Sequence, residues 1–351
     1  MLQPLFTDFA PHHADLFGRH TVNLGHRFDA ADGLFGDAAL ASLIERTPAQ
    51  AYHVNTMDVT THDPNTRREG TMEGLSGAEA LDAVRNGHIW ILLQQPHRLD
   101  GRYAEVLRSI YAELALRVEG FKSFNHKMSI LISSPKVQVY YHADVPGQTL
   151  WQVRGGKRVY VYPNTPPFLP QAALEKIVLG EAHEISLNYE PWFDAHADVI
   201  DLEPGRMLHW PLNCPHRIVN QDCLNVSFTT EHMTRELRNA YAVNYANGVL
   251  RRALGLERLA RPQSGLGLYA RLGLAAAHKY SGAQARRKLG RIIDFEVDPR
   301  APQGIRTVPA FALGAQATPT KAPTAPPPWA ARKPKRPQAK KVLDRATTQR
   351  R

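Results

Sequence analysis

Cysteine is scarce in this chain: Cys214 and Cys223 are the only two, too few for a disulfide framework to be the source of stability. Long apolar runs are also lacking. None approaches the ~20 residues needed to cross a bilayer, and the opening Met1-Leu-Gln-Pro-Leu-Phe-Thr-Asp has no basic stretch followed by an apolar one. No transmembrane segment or secretory leader is expected, and a reducing cytoplasmic setting suits the two thiols. Acidic residues are missing from one place only. From Ala315 to Arg351, Asp344 stands alone against ten lysines and arginines, which leaves 33 basic and 32 acidic residues in positions 1–314. The net charge of +10 is therefore a property of the tail. Seven prolines between Pro319 and Pro337, spaced by Ala, Thr and Lys, predict a disordered extension that cannot bury a core. Such a tail can contact nucleic acid or an anionic surface weakly and in a salt-sensitive way, or it can act only as a solubiliser. The remainder carries ordinary apolar content, 43% over the whole chain, and is long enough for one large domain or two small ones.

Element signals divide the chain. Asp37 starts a short helix, and Tyr52-His-Val-Asn is extended. Ser76 with Glu79 three residues on forms a capping box for a helix that ends near Asn86-Gly87. His88-Ile-Trp-Ile-Leu-Leu-Gln reads as a buried strand, Tyr103 to Val118 as an amphipathic helix, and Ser129-Ile-Leu-Ile-Ser-Ser as the first strand of a barrel. From about 135 to 231, short strands alternate with turns in the manner of a jelly roll. Helices are expected over Thr234–Arg252 and Leu266–Leu289, with Pro262 between them. There is no internal repeat.

Three His-x-Asp pairs occur: His13/Asp15, His142/Asp144 and His196/Asp198. His13 lies in a surface segment with no strand before it, and His196 belongs to a loop leading into the strand Val199-Ile-Asp-Leu. His142/Asp144 instead closes the strand Lys136-Val-Gln-Val-Tyr-Tyr and precedes a Pro146-Gly147 turn and a further strand. A third ligand type, His216, lies downstream in Gly205-x5-Pro-x-Asn-x2-His-x3-Asn220. Two imidazoles and one carboxylate make a facial triad. It covers one face of an octahedral Fe(II) and leaves three positions for a chelating 2-oxo acid and O2. Near these residues, Cys214 is read as a small buried residue rather than a fourth ligand. Trp151, Tyr160 and Tyr162 are read as packing residues, and Arg217 as a solvent-exposed neighbour pointing away from the site.

The Gly205–Asn220 segment resembles the second cupin motif, with Asn213 where Gly is usual; Asn tolerates the left-handed backbone such a turn requires. His142 to Pro163 resembles the metal-binding strand and following hairpin of JmjC-type, cupin-like oxygenases, in particular the asparaginyl hydroxylase of hypoxia-inducible factor. The resemblance spans about residues 37 to 240, and those two blocks carry it. It implies that His142, Asp144 and His216 are iron ligands, and that Lys157 pairs with the distal carboxylate of 2-oxoglutarate. A two-residue strand period admits only one of Lys157 and Arg158 to the interior, and the sequence leaves both open. Gln148 stands where that hydroxylase has an amide near the cosubstrate, whereas Val139 stands where it has a hydroxyl. That contact is missing here or is supplied elsewhere. Asn225, Ser227 and Thr229 give one polar face to the last strand; Thr229 is a further candidate contact for 2-oxoglutarate, unless the strand is simply half-buried.

The resulting expectation is a mainly β protein, a double-stranded β-helix with flanking N- and C-terminal helices. Residues 1–128 form an α/β extension packed on the barrel, 129–232 the barrel, 233–314 a helical region and 315–351 the tail. The implied activity is that of an Fe(II)- and 2-oxoglutarate-dependent dioxygenase, consuming O2 and hydroxylating an unidentified protein, peptide or small molecule, with a homodimer formed through the C-terminal helices. Two readings from other classes stand beside it. One is a non-oxidative metal-binding cupin or small-molecule-sensing regulator, and the other is a nucleic-acid-associated protein that works through its tail.

Overall fold

The computed structural model describes residues 4–28, 33–282 and 290–313; the basic tail and residues 283–289 of the second C-terminal helix expected above lie outside them. The β-strands are β1 (Val22–Gly25), β2 (Tyr52–Thr56), β3 (Arg68–Thr71), β4 (Trp90–Gln94), β5 (Phe124–Ser133), β6 (Gln138–His142), β7 (Gly147–Arg154), β8 (Lys157–Val161), β9 (Asp198–Leu202), β10 (Arg206–His209), β11 (His216–Asn220), β12 (Asn225–Met233), β13 (Arg291–Val297) and β14 (Ile305–Leu313). The helices are α1 (Pro11–Leu16), α2 (Asp37–Arg46), α3 (Gly77–Asn86), α4 (Gly101–Arg117), α5 (Gln171–Val178), α6 (Arg235–Leu254) and α7 (Gly265–Tyr280).

Strands β5 to β12 are divided between two sheets, with β5, β7, β10 and β12 in one and β6, β8, β9 and β11 in the other. The order β10-β7-β12-β5 forms the central part of a large sheet, and β6-β11-β8-β9 forms a small one. This interleaving is the double-stranded β-helix expected from the sequence. The hairpin from β7 to β8 turns at Gly155, whose φ is +67°. A Cβ there would lie 2.3 Å from the Leu224 carbonyl oxygen, so glycine is required both for the left-handed conformation and for the close approach. The two faces of each strand separate cleanly. Val226, Phe228 and Trp151 join the core beneath the N-terminal helices, while Leu150, Val159, Val161, Leu208 and Ile218 fill the barrel interior.

The capping box at Ser76 forms as expected: the hydroxyl accepts from the Glu79 amide, and the Glu79 carboxylate accepts from the Ser76 amide. It starts α3, whose Ala80, Leu81, Ala83 and Val84 face the core. Asp100 caps α4 by accepting from the Arg102 amide at 3.0 Å, and Tyr103, Leu107, Ile110, Tyr111 and Leu114 give that helix its buried stripe.

Three regions differ from the sequence reading. The N-terminal part adds strands to the barrel as well as packing on it: β4 pairs with β5, β2 with β4, β3 with β2, and β1 with β10. Barrel strand β5 begins at Phe124, earlier than Ser129. In the stretch expected to be helical to residue 314, β13 and β14 extend the same large sheet, with Ile293, Phe295 and Val297 buried in alternation. That two-residue period was present in the sequence but is short and follows a strongly helical segment. Last, α5 lies within the stretch 135–231, where only short strands and turns were expected, and packs against α6 through Leu174, Ile177 and Val178.

Phe295 is fully buried on β13 and faces Gly70 of β3 in parallel register. A Cβ at position 70 would lie 2.2 Å from its ring. Phe295→Ala should cost about 3–5 kcal/mol, and Gly70→Ala should be destabilising in the wild type but much less so when Phe295 is already Ala. A double-mutant cycle by denaturant unfolding measures this; additive effects would show that the two positions do not meet.

Candidate metal centre

The strand order brings the two motifs together. His142 ends β6, His216 begins β11, and the two are cross-strand partners in the small sheet. Asp144 lies two residues beyond β6. The side chain of Asn213, held at φ +60°, donates from Nδ2 to the Asp144 carbonyl oxygen at 2.6 Å. Asn213 thus takes the left-handed turn foreseen for it and also ties the loop before His216 to the loop after His142.

Each ring is oriented by a backbone carbonyl two residues upstream. His142 Nδ1 donates to the Tyr140 oxygen at 2.8 Å and His216 Nδ1 to the Cys214 oxygen at 3.1 Å. A carbonyl can only accept, so both Nδ1 atoms carry the proton and both Nε2 atoms present a lone pair. One ligand atom from each of His142, Asp144 and His216 lies within 4.8 Å of the others, with His216 Nε2 3.4 Å from Asp144 Oδ2. Asp144 Oδ2 is buried and has no hydrogen-bond donor. Burial pushes the Asp144 carboxyl well above the usual carboxylate range and both imidazoles down, and the His142 ring further disfavours charge on His216. Two neutral imidazoles and a desolvated carboxylate with an unpaired oxygen are the donor set of a divalent cation, whose charge supplies what the carboxylate lacks.

A cavity of about 490 Å³ opens at this cluster, lined among others by His142, Asp144, Tyr140, Gln148, Thr229 and Glu184. Deeper in the barrel, Lys157 of β8 is 2% exposed, and its Nζ donates to Ser227 Oγ of β12 at 3.0 Å. Burial lowers its pKa to about 7. Arg158 points outward to a bidentate pair with Asp201 at 2.7 and 2.8 Å, so the alternation that the sequence left open places Lys157 inside. Ser227, which the sequence reading placed on the polar face without a role, is the residue that meets Lys157. Its signal was the alternation Asn225, Ser227, Thr229. Val139 also lines the cavity and offers no hydroxyl.

The other residues singled out fall away from the cluster. His13 caps the start of α1, its Nδ1 accepting from the Ala10 amide at 2.9 Å; Asp198 accepts from the Thr21 hydroxyl at the surface. Cys214 is buried among barrel apolar residues, and burial pushes its thiol up to about 12. Trp151 packs on the opposite face of the large sheet, stacked on Phe228. Arg217 corrects the reading of it as exposed. It is 5% exposed, lies 3.5 Å from the centre of the Tyr160 ring, donates to Tyr162 Oη at 2.9 Å and forms an ion pair with Asp194. Asp194 also accepts from Tyr162 and Tyr189, which fastens the segment after α5 to the small sheet. Sequence could not foresee this, because Asp194 is remote in the chain from Arg217.

No protein-family model matches the chain, and no curated protein matches it. Among solved structures it is similar to YcfD of Escherichia coli: 15% identity over 78% of this chain and 69% of that one, at a TM-score of 0.45. It is similar to the same ribosomal oxygenase in complex with cobalt and 2-oxoglutarate at 15% identity, 79% and 68% coverage and a TM-score of 0.46, and in complex with cobalt and succinic acid at 14%, 79% and 68%, and 0.44. These are likenesses of outline at low identity, and the reading of the site rests on this chain's own residues.

Calorimetry with Co(II) should give one tight site in the wild type and none in His142→Ala, Asp144→Ala or His216→Ala, while His13→Ala and His196→Ala bind as the wild type does. Because the imidazoles are already neutral and Asp144 must give up its proton, affinity should strengthen as pH rises. Loss of the site in His196→Ala with retention in His142→Ala would place the metal elsewhere.

Proposed function

We propose that this protein is an Fe(II)- and 2-oxoglutarate-dependent dioxygenase that hydroxylates a C–H bond of a prime substrate. The observation that carries the reading is a pair of incomplete charges inside one barrel. A three-ligand cluster calls for a cation, and a buried lysine calls for an anion. Among the described residues Lys157 has no carboxylate partner; its Nζ donates to Ser227 Oγ. A dicarboxylate that chelates at one end and ends in a second carboxylate answers both demands, whereas a metal-binding cupin without such a ligand would leave the cost of burying Lys157 unexplained.

In this reading His142, Asp144 and His216 hold Fe(II), and Lys157 with Ser227 holds the distal carboxylate, Ser227 supplying the hydroxyl that Val139 lacks. Gln148 and Thr229 line the cavity at His142 and Asp144 and are proposed to contact the cosubstrate. Bound iron supplies the activation of O2. Leu150, Val159, Leu208, Trp210 and Ile218 keep the interior dry, which strengthens the Lys157 ion pair. The overall conversion, R–H + 2-oxoglutarate + O2 → R–OH + succinate + CO2, places one oxygen atom in each of the alcohol and the succinate. Among the described residues no helix is long and apolar enough to cross a membrane, and a reducing cytoplasm, proposed as the setting, keeps both Fe(II) and the thiols reduced.

Lys157→Met and Ser227→Ala should each raise the 2-oxoglutarate concentration needed for O2-dependent succinate formation, Lys157→Met by the ~1.5–3 kcal/mol of a charge-assisted contact and Ser227→Ala by less. Metal binding should be unchanged in both. Equal dependence in the wild type and Lys157→Met would remove Lys157 from the site.

A pH dependence follows with a definite sign. A bound carboxylate favours the ammonium form, so the complex keeps a proton that the free protein, with Lys157 near 7, gives up above that pH. Affinity for 2-oxoglutarate is then flat below about pH 7 and falls as pH rises beyond it, with proton uptake on binding. Titration calorimetry in two buffers of different ionisation enthalpy should detect the uptake at pH 8.5 in the wild type and not in Lys157→Met. Absence of uptake in the wild type would contradict the pairing.

A further inference from the structure

Two turns packed on each other close the barrel at the Lys157 end. One, residues 155–156, joins β7 to β8; the other, residues 221–224, joins β11 to β12. They are tied by the Gln221 amide, which donates to the Gly156 carbonyl oxygen at 3.0 Å. Cys223 Sγ lies in the seam, only 3.0 Å from where a Cβ at Gly155 would stand. It accepts from the Gly156 amide at 3.4 Å and from Asn225 Nδ2 at 3.7 Å, and Asn225 is itself fixed, its Oδ1 accepting from Gln152 Nε2 at 2.8 Å. Lys157 follows Gly156 directly. Ser227, which accepts from Lys157 Nζ, is the next residue after Asn225 on the same buried face of β12. Sulfur and ammonium thus share neighbours on both strands, and the Cys223 thiol, not a carboxylate, is the group that acts electrostatically on Lys157.

The two cysteines differ in what surrounds them. Cys214 is buried among apolar barrel residues, and burial pushes its thiol up to about 12, which makes it inert. Cys223 is half-buried at a turn. Two N–H donors face its sulfur, and beside it stands a lysine that is 2% exposed and has no carboxylate partner among the described residues. A partly exposed sulfur next to donors and a cation is the setting in which cysteine reacts with oxidants and in which an anionic oxidised sulfur is held. The proposed hydroxylation makes no use of this thiol.

We propose that Cys223 is a site of oxidation by peroxide, and that its sulfenate pairs with Lys157 and excludes the distal carboxylate of 2-oxoglutarate; this rests on the dioxygenase reading above, in which Lys157 holds that carboxylate. In the step Cys223–SH + H2O2 → Cys223–SOH + H2O, sulfur gives up two electrons and the O–O bond breaks. One oxygen becomes bonded to sulfur and the other leaves as water. The proton of the sulfenic acid passes to the Lys157 amine, whose pKa near 7 leaves it able to take it. The anionic oxygen on sulfur then supplies the counter-charge that Lys157 lacks and repels a second anion. A thiol reductant restores the site: Cys223–SOH + 2 R–SH → Cys223–SH + R–S–S–R + H2O.

The test treats the full-length protein with H2O2, removes the excess with catalase, loads Co(II) and titrates 2-oxoglutarate by calorimetry. A parallel sample is trapped with dimedone, and the adduct is mapped by mass spectrometry. Dimedone should mark Cys223 and not Cys214, and the Kd for 2-oxoglutarate should rise about tenfold or more, as expected when a charge-assisted contact is lost. Co(II) affinity should be unchanged, and a thiol reductant should restore the 2-oxoglutarate affinity. Cys223→Ser, which keeps an acceptor for the Gly156 amide, should bind 2-oxoglutarate equally well before and after treatment. Co(II) and 2-oxoglutarate present during treatment should slow labelling of Cys223 in the wild type and not in Lys157→Met. No adduct at Cys223, an adduct with unchanged 2-oxoglutarate affinity, or the same loss of affinity in Cys223→Ser would each overturn the proposal and leave the dioxygenase reading standing. Untreated protein that binds Co(II) but not 2-oxoglutarate would overturn that reading and this inference with it.

Discussion

Everything at the centre of this molecule depends on the cost of holding polar groups inside a dry barrel. Eight interleaved strands close around an interior of leucine, valine, isoleucine and tryptophan, and into it they place a carboxylate, two imidazoles and an ammonium group. Each of these is shifted by burial toward its neutral form. Such groups are normally paired or absent. Their persistence here, in two clusters of opposite need, is what makes a cation at one end and an anion at the other the economical account of the site.

The fold serves that arrangement by geometry rather than by extra bonds. Antiparallel register in the small sheet sets His142 beside His216 and leaves Lys157 opposite Asn220, four residues along β8 from the partner of His216. This corresponds to ~13 Å of strand. Backbone carbonyls fix both rings, and the Asn213 amide fixes the loop that carries Asp144. On the outer face of the same sheet, the Arg217–Asp194 cluster fastens the segment after α5, the segment that also brings Glu184 to the cavity wall.

Much of this was legible in the sequence because the signals were local. The Ser76–Glu79 capping box, the buried stripe of α4, the turn at Asn213 and the choice of His142/Asp144 over two identical spacings each depended on a few adjacent residues. What was not legible depended on pairing across the chain. Strands β13 and β14 become strands by extending a sheet at β3, which lies more than two hundred residues earlier in the chain. Arg217 is buried because Asp194 and three tyrosines surround it, not because of anything beside it in sequence. The choice between Lys157 and Arg158 required knowing which face of β8 is inside. Ser227 became a residue of interest only once β12 was placed across from β8. The tail, whose composition was the most conspicuous feature of the chain, lies outside the described residues.

The most direct measurement of the central claim is a single turnover. The protein is loaded anaerobically with one equivalent each of Fe(II) and 2-oxoglutarate, freed of excess ligand, then exposed to O2, and succinate is quantified per protein. Close to one succinate per iron is expected from the wild type, and none from a protein lacking the His142 or His216 ring. Iron and 2-oxoglutarate both retained, with no succinate formed after O2 is admitted, would contradict the account.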